Sequence, residues 1–237
     1  PQDGRPVVAN TGIWSIAKIF PGSPREVAKG IYEILLQVVG TERTLLMPCY
    51  TPGFKNGIVD LDNEPGTTGV INEMLRNHPE SLRTISAFCS FTALGPQAKE
   101  VADLRFLETW GRGSLFEWIE THDAHMLALG IPWKMCGFLH RVEWLAQVPY
   151  RYTKEFTGEF IREGQRHPLK ECMFVRSMDP LVKNAWPNLD SILKTKGMRS
   201  LQLGSSQVAE IGARAMMDSL IPIIEKDPFA FIKTPDI

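Results

Sequence analysis

The alternation of apolar runs and helix signals predicts an α/β fold: a single α/β/α-type domain with a mostly parallel central sheet and an antiparallel C-terminal extension. Three observations carry this. Short apolar runs recur at residues 6–9, 44–47 and 126–131, each closed by a glycine, a proline or an Asn-Thr-Gly turn. Helical periodicities stand between them, as parallel crossovers require. Two runs rich in aromatic and β-type residues, 150–160 and 172–176, then follow with no helical pattern between them, which suits antiparallel pairing.

The elements follow in order. The strand at 6–9 ends at Asn10-Thr11-Gly12. Ser23-Pro24-Arg25-Glu26 opens a helix with three concordant signals: a capping serine, a proline suited to the first turn, and the glutamate of a capping box. Val27, Ile31, Ile34, Leu35 and Val38 follow at helical spacing, and Gly40 stops the helix. The next strand, 44–47, is closed by Pro48. Thr67 and Thr68 precede a helix through Val70, Ile71, Met74 and Leu75, and residues 85–91 read as a strand. Ser114 and Glu117 make a second capping box after Gly111-Arg112-Gly113. A buried strand over 126–131 leads to a helix over 138–146, with Leu139, Val142, Leu145 and Ala146 on one face. Asp179-Pro180 is expected to open a helix to about residue 193. A strand at 201–203 follows, and Ser205 and Ser206 then lead directly into a last long helix ending near 220.

At 237 residues and 43% hydrophobic, the chain can bury a substantial core. No linker, repeat or low-complexity segment divides it, so one domain over 1–237 is expected. The net charge of −1 provides no strongly basic face, which argues against a nucleic-acid partner. No stretch approaches the roughly 20 apolar residues of a membrane span. Cysteines 49, 89, 136 and 172 form no CxxC pair and read as reduced cytoplasmic thiols rather than a zinc ribbon or disulfide framework. The sequence opens at Pro1 without a methionine or a signal-peptide pattern, so an upstream piece is expected.

The segment with chemical content is Gly137-Phe138-Leu139-His140-Arg141-Val142-Glu143, just after the strand at 126–131. Active groups of open α/β sheets gather at the carboxyl ends of strands, and this segment falls there. Residues three apart on a helix share a face, so Glu143 can accept a hydrogen bond from His140. A carboxylate fixes an imidazole's tautomer and raises its basicity, as a general base requires. Spacing alone also fits an ordinary solvated helix.

The ordered motifs add to this. Leu129-Gly130 followed by His140-Arg141-Val142-Glu143, Gly40 through Pro48, Thr68-Gly69-Val70-Ile71-Asn72-Glu73 with Arg76, Arg83-Thr84 with Ser90-Phe91 and Gly95, and Gly111-Arg112-Gly113-Ser114 together resemble the aminoglycoside 3-N-acetyltransferase family. The matches run over roughly residues 7–145; the C-terminal third matches loosely. The resemblance implies transfer of an acetyl group from acetyl-CoA to an amino group of an aminoglycoside or amino sugar, the chemistry of antibiotic resistance. His140 would be the general base, oriented by Glu143. Thr11, Gly12, Ser114, Gly137 and Phe138 would bind the coenzyme, against ordinary turn and capping roles. Asp60, Asp62 and Glu64 would face the amine acceptor, against plain solvation. No metal is implied, and His122 and His125 beside Asp123 lack a third ligand at metal spacing.

The chain also departs from the family pattern. Gly137 stands where a threonine is expected, Cys136 where an asparagine is, Ser86-Ala87 where His-Pro is, and Asn10 where a histidine is. These departures keep open a degenerate member that binds a nucleotide or amino sugar without turnover, and Cys136, four residues before His140, keeps open a Cys–His hydrolase. They also favour a small amino sugar or its nucleotide derivative over a polycationic drug as acceptor. Tyr150-Arg151-Tyr152 with Phe156 and Phe160 is assigned to core packing or a homodimer contact rather than to stacking on a ligand ring.

Overall fold

The computed structural model describes residues 3–51, 54–178 and 182–233. Val7–Thr11 (β1) leads through the short helix Ile13–Ile16 (α1) to Pro24–Val39 (α2) and then to Leu45–Pro48 (β2). Ile58–Asp60 (β3), Val70–Arg76 (α3), Leu82–Arg83 (β4), Phe91–Leu94 (β5) and Ala98–Ala102 (α4) follow. The site-bearing stretch is Leu115–Thr121 (α5), His125–Leu129 (β6) and Leu139–Leu145 (α6), followed by a long hairpin of Arg151–Arg162 (β7) and Gln165–Arg176 (β8). The chain closes with Lys183–Asn184 (β9), Leu189–Lys194 (α7), Arg199–Leu203 (β10), Ser206–Gly212 (β11), Ala213–Lys226 (α8) and Ile232–Lys233 (β12).

The main sheet has the order β10-β11-β6-β1-β2-β5-β4. Strand alternation makes it the middle of three layers. Val7, Ala9, Leu45 and Met47 point into a core shared with α2 and α3. Val8, Leu46, Met126 and Ala128 point the other way, against α5, α6 and α8. A period of two therefore buries both faces, and the α/β/α architecture follows. The sheet is mixed rather than mostly parallel. Only β2, β1 and β6 run parallel, and β5, β4, β11 and β10 add antiparallel. The reason is connection length. A two-residue segment joins β10 to β11 only as a hairpin, whereas helical crossovers serve the centre.

The helix after Ser23 forms as its sequence predicts. Ser23 Oγ accepts from the Glu26 N–H, and Glu26 returns the bond to the Ser23 N–H at 2.7 Å. The helix buries Val27, Ala28, Leu35 and Val39 but leaves Ile34 and Val38 exposed on its flank. At the second box, Ser114 caps the Glu117 N–H, while Glu117 reaches one residue further back, to the Gly113 N–H.

Three expectations are corrected. Residues 85–90 form a turn between β4 and β5, because side chains take the N–H groups a ladder would use. Ser86 Oγ accepts from the Phe88 and Cys89 N–H groups, and Glu171 accepts from that of Ala87. The helix expected from Asp179-Pro180 begins only at Leu189. Residues 179–181 lie outside the described residues; β9 is extended, and Trp186 and Asn188 on either side of Pro187 take left-handed φ values of 49° and 56°. Finally, Ser205-Ser206 leads into β11 rather than the last helix. Ala209 and Ile211 alternate inward along β11, and it pairs antiparallel with β6.

The hairpin of β7 and β8 turns at Glu163-Gly164, with φ of 52° and 70°, the left-handed pair of a two-residue hairpin turn. Its register sets Arg151 opposite Arg176 at the open end, which brings both against the segment carrying His140.

Candidate active site

β6 ends at Leu129, and the chain must turn sharply to leave the sheet. Gly130 has φ of 70°, and a Cβ there would lie 2.4 Å from the Gly12 carbonyl oxygen. A 3₁₀ turn, Trp133–Met135, anchors the next loop through the fully buried Trp133. α6 then begins, with His140 in its first turn and Glu143 one turn on.

Glu143 is fully buried beneath the histidine. Its Oε2 lies 2.6 Å from His140 Nδ1 and 2.8 Å from Arg151 Nη2, and its Oε1 accepts from the Tyr150 hydroxyl at 3.0 Å. Burial alone would raise the Glu143 carboxyl. The bond from His140, the charges of His140 and Arg151 and the Tyr150 bond together hold it below the usual carboxylate range. An ionised acceptor at 2.6 Å requires the hydrogen on Nδ1. The 3.1 Å approach of Arg151 Nη2 to Nδ1 is therefore a flanking contact. Nε2 is left with its lone pair and has no partner among the described residues, and the His140 side chain is 31% exposed. Trp110 stands edge-on to the imidazole at 5.4 Å, and Arg141 Nη1 holds the Trp110 carbonyl oxygen at 2.5 Å.

His140 opens onto a cavity of about 400 Å³ lined by Tyr50, Trp110, Cys136, Gly137, Arg151 and the end of β8, with Lys134 and Arg176 as exposed cations. Among the described residues no carboxylate lines it. A larger groove of about 850 Å³ lies between α2 and α3, but its Glu73 is tied to Arg76 and the Gly66 N–H.

Of the sequence candidates, the structure brings His140, Glu143 and Gly137 together and leaves the others elsewhere. Thr11 donates to Asn72 Oδ1 at 2.6 Å, and Gly12 lets β1 pass against Ile131. Ser114 is spent on its cap, and Phe138 is core. Asp60 accepts from Asp62 and Asn63 within its own turn, Asp62 accepts from the Glu163 and Gly164 N–H groups at the hairpin tip, and Glu64 faces the Asp60 N–H. These acids brace a loop and are not part of the His140 cavity. Asn10 and Ser86 are buried, with Ser86 bonded to Glu171. Burial pushes the Cys136 thiol up to about 11, so the thiolate a Cys–His hydrolase needs is disfavoured. His122 stacks on Trp118, while His125 is buried between Glu210 and Asp3. Tyr150 and Arg151, assigned from sequence to packing, prove to be partners of Glu143.

The fold and site define an α/β protein with a carboxylate-held histidine over a cleft at the carboxyl edge of its parallel strands. The family model described as Aminoglycoside 3-N-acetyltransferase matches residues 20–225. The chain belongs to that family. Aminoglycoside N(3)-acetyltransferase IX of Micromonospora chalcea is 26% identical over 189 residues, which is 70% of this chain and 64% of that protein; the chain thus spans a little under two thirds of that relative. A structure of AAC-IIIb in a binary complex with CoASH superposes with a TM-score of 0.75 at 20% identity, over 99% of this chain and 93% of that one. AAC-VIa bound to sisomicin superposes at 0.76 with 18% identity, over 94% and 91%. No helix among the described residues is long and apolar enough to cross a membrane, and the four cysteines are free.

Proposed function

We propose that this chain transfers an acetyl group from acetyl-CoA to an amino group of a small-molecule amino sugar, with His140 as the general base and Glu143 as the group that orients it. One observation carries the reading: Nδ1 is pinned by a buried carboxylate while Nε2 opens into the cavity. An ammonium cannot attack a thioester, so a base must take a proton near neutral pH. Glu143 then shares the charge that arrives on the imidazole, and Arg151 and Tyr150 keep Glu143 ionised and in place. The cavity suits the donor, with Lys134 and Arg176 to meet phosphates and buried unpaired donors on Tyr50 and Trp110 to meet a carbonyl or amide. When bound, acetyl-CoA supplies an acyl carbon that exchanges its C–S bond for a C–N bond, sulfur leaving as the thiol with the proton His140 removed.

Among the described residues the cavity presents two exposed cations and no acid, a lining that does not attract a polycation, so the acceptor is a small amino sugar or its nucleotide derivative rather than a 2-deoxystreptamine drug. Cytoplasmic residence fits the free thiols. The test follows thiol release from acetyl-CoA with a panel of amino sugars and gentamicin-type drugs. Release with amino sugars supports the reading, and absence of coenzyme binding by calorimetry overturns it. Faster saturable transfer to the drug overturns the acceptor assignment. A non-catalytic binder is less consistent with the intact His140–Glu143–Arg151 cluster, which packing alone does not require.

A further inference from the structure

Buried polar atoms without a partner are rare, and each calls for an explanation. Among the described residues seven such side-chain atoms occur, and four of them, Tyr50 Oη, Trp110 Nε1, Arg151 Nε and Asn184 Oδ1, belong to residues lining the His140 cavity. The Tyr50 hydroxyl is the one built against the base. Tyr50 lies two residues beyond the carboxyl end of β2. Its carbonyl oxygen accepts from the Thr67 N–H at 2.7 Å, and its ring stands edge-on to Phe91 at 5.7 Å. The phenol is thus held at both ends of the residue. A Cβ added at Gly137 would lie 2.2 Å from Oη and 3.3 Å from Cζ. The hydroxyl therefore fills the space a side chain at 137 would take. The Gly137 carbonyl oxygen in turn accepts the His140 N–H at 3.1 Å. Burial raises the phenol well above its ordinary range, so it remains a donor.

Acyl transfer gathers negative charge on the carbonyl oxygen, and donors fixed in a dry site stabilise it most. Resting on the transfer reading above, we propose that the Tyr50 hydroxyl donates the hydrogen bond that holds the donor's acyl carbonyl oxygen, from the space that the missing side chain of Gly137 leaves to it. Trp110 is the competing donor. Its ring packs T-shaped against the imidazole at 5.4 Å, so its removal should disturb the base rather than the carbonyl.

The test uses the whole protein and a ¹³C-labelled ketone analogue of acetyl-CoA, in which a methylene separates sulfur from the carbonyl so that transfer cannot occur. Bound to wild type, the carbonyl stretch should move to lower frequency than in water. Tyr50→Phe should abolish that displacement and Trp110→Phe should keep it. The Tyr50→Phe variant should bind acetyl-CoA with wild-type affinity and melt within a few degrees of wild type, while kcat falls about 10²-fold, the scale of one lost oxyanion donor. A displacement retained in Tyr50→Phe, a displacement lost only in Trp110→Phe, or an unchanged kcat overturns the assignment. A wild-type protein that binds the analogue with no displacement also overturns it, leaving the transfer reading standing. A protein that binds neither analogue nor acetyl-CoA overturns both.

Discussion

Two histidines of this chain carry carboxylate partners, and they do opposite things. His125 opens β6 at its amino end, with Nδ1 2.6 Å from Glu210 and Nε2 3.0 Å from Asp3, and its side chain is 3% exposed. His140 follows the other end of the same strand, with Nδ1 2.6 Å from Glu143, Nε2 without a partner among the described residues and 31% of the side chain exposed. Carboxylates on both nitrogens ask both to donate, leaving no lone pair for a proton. His125 is therefore a clamp between β6, β11 and the segment before β1. One carboxylate on one nitrogen leaves a base. A His–Glu contact is thus no signature of catalysis; the fate of the second nitrogen decides.

The largest effect that could break this contrast is on activity. His140→Ala should lower transfer by about 10²-fold or more while coenzyme affinity and melting temperature stay near wild type. His125→Ala should do the reverse, leaving kcat of the folded protein unchanged and costing about 1–3 kcal/mol, the range for stranding buried charged partners. Steady-state kinetics and thermal melts on the two variants decide. Equal loss of activity in both would erase the distinction. Glu143→Gln comes next, with a loss of about tenfold, near 1.4 kcal/mol of transition-state stabilisation. It preserves shape but removes the charge that supports the protonated ring, and steady-state kcat beside a thermal melt of the variant checks the loss.

How much of this contrast was legible in the sequence follows from which contacts are local. His140 and Glu143 are three residues apart on one helix, so their meeting could be read from spacing. So could the Ser23 box and the alternating strands of the centre. Arg151 reaches Glu143 only because the chain turns back between α6 and β7, and Glu210 reaches His125 only because β11 joins β6 antiparallel. Neither is encoded within one element. β11 was missed although Ala209 and Ile211 alternate, since the serines before it read equally well as a helix cap. The acids at 60–64 looked like an acceptor site because charge is visible in sequence and its partners are not; here those partners are backbone N–H groups of the same turn and of the hairpin tip.

Acid titration sharpens the comparison further. Burial would raise Glu143 and Glu210, but hydrogen bonds and cation charge outweigh it and hold both below their ordinary values. A carboxyl lowered in the folded state adds stability above its unfolded value, about 4.3, and that stability is lost as pH falls through the folded value. Melting temperature should therefore drop below about pH 4.3, and Glu143→Gln and Glu210→Gln should each flatten that limb. Glu171 works the other way. Burial without a cation raises it, so its ionisation costs stability as pH rises above the unfolded value, and acid relieves that cost. A wild-type melt independent of pH from 3 to 7 would refute the assignment for Glu143 and Glu210.

The smallest effect belongs to Asp3. It reaches His125 Nε2 from a position 39% exposed and is shared with Arg5, which also bridges to Asp123. Solvent screens such a pair, and exposed ion pairs contribute about 0–1 kcal/mol. Asp3→Asn should therefore cost less than Glu210→Gln, because Glu210 is the more buried partner and holds the shorter bond to the ring. It should also leave transfer unchanged, since Asp3 lies at the opposite end of β6 from the cavity. The measurement that matters is the pair in one background. If Glu210 and Asp3 both clamp the ring, the double variant should lose more or less than the sum of the single losses, because removing one carboxylate changes what the imidazole can offer the other. Strict additivity would mean that Asp3 and Glu210 act on the ring independently rather than as one coupled clamp.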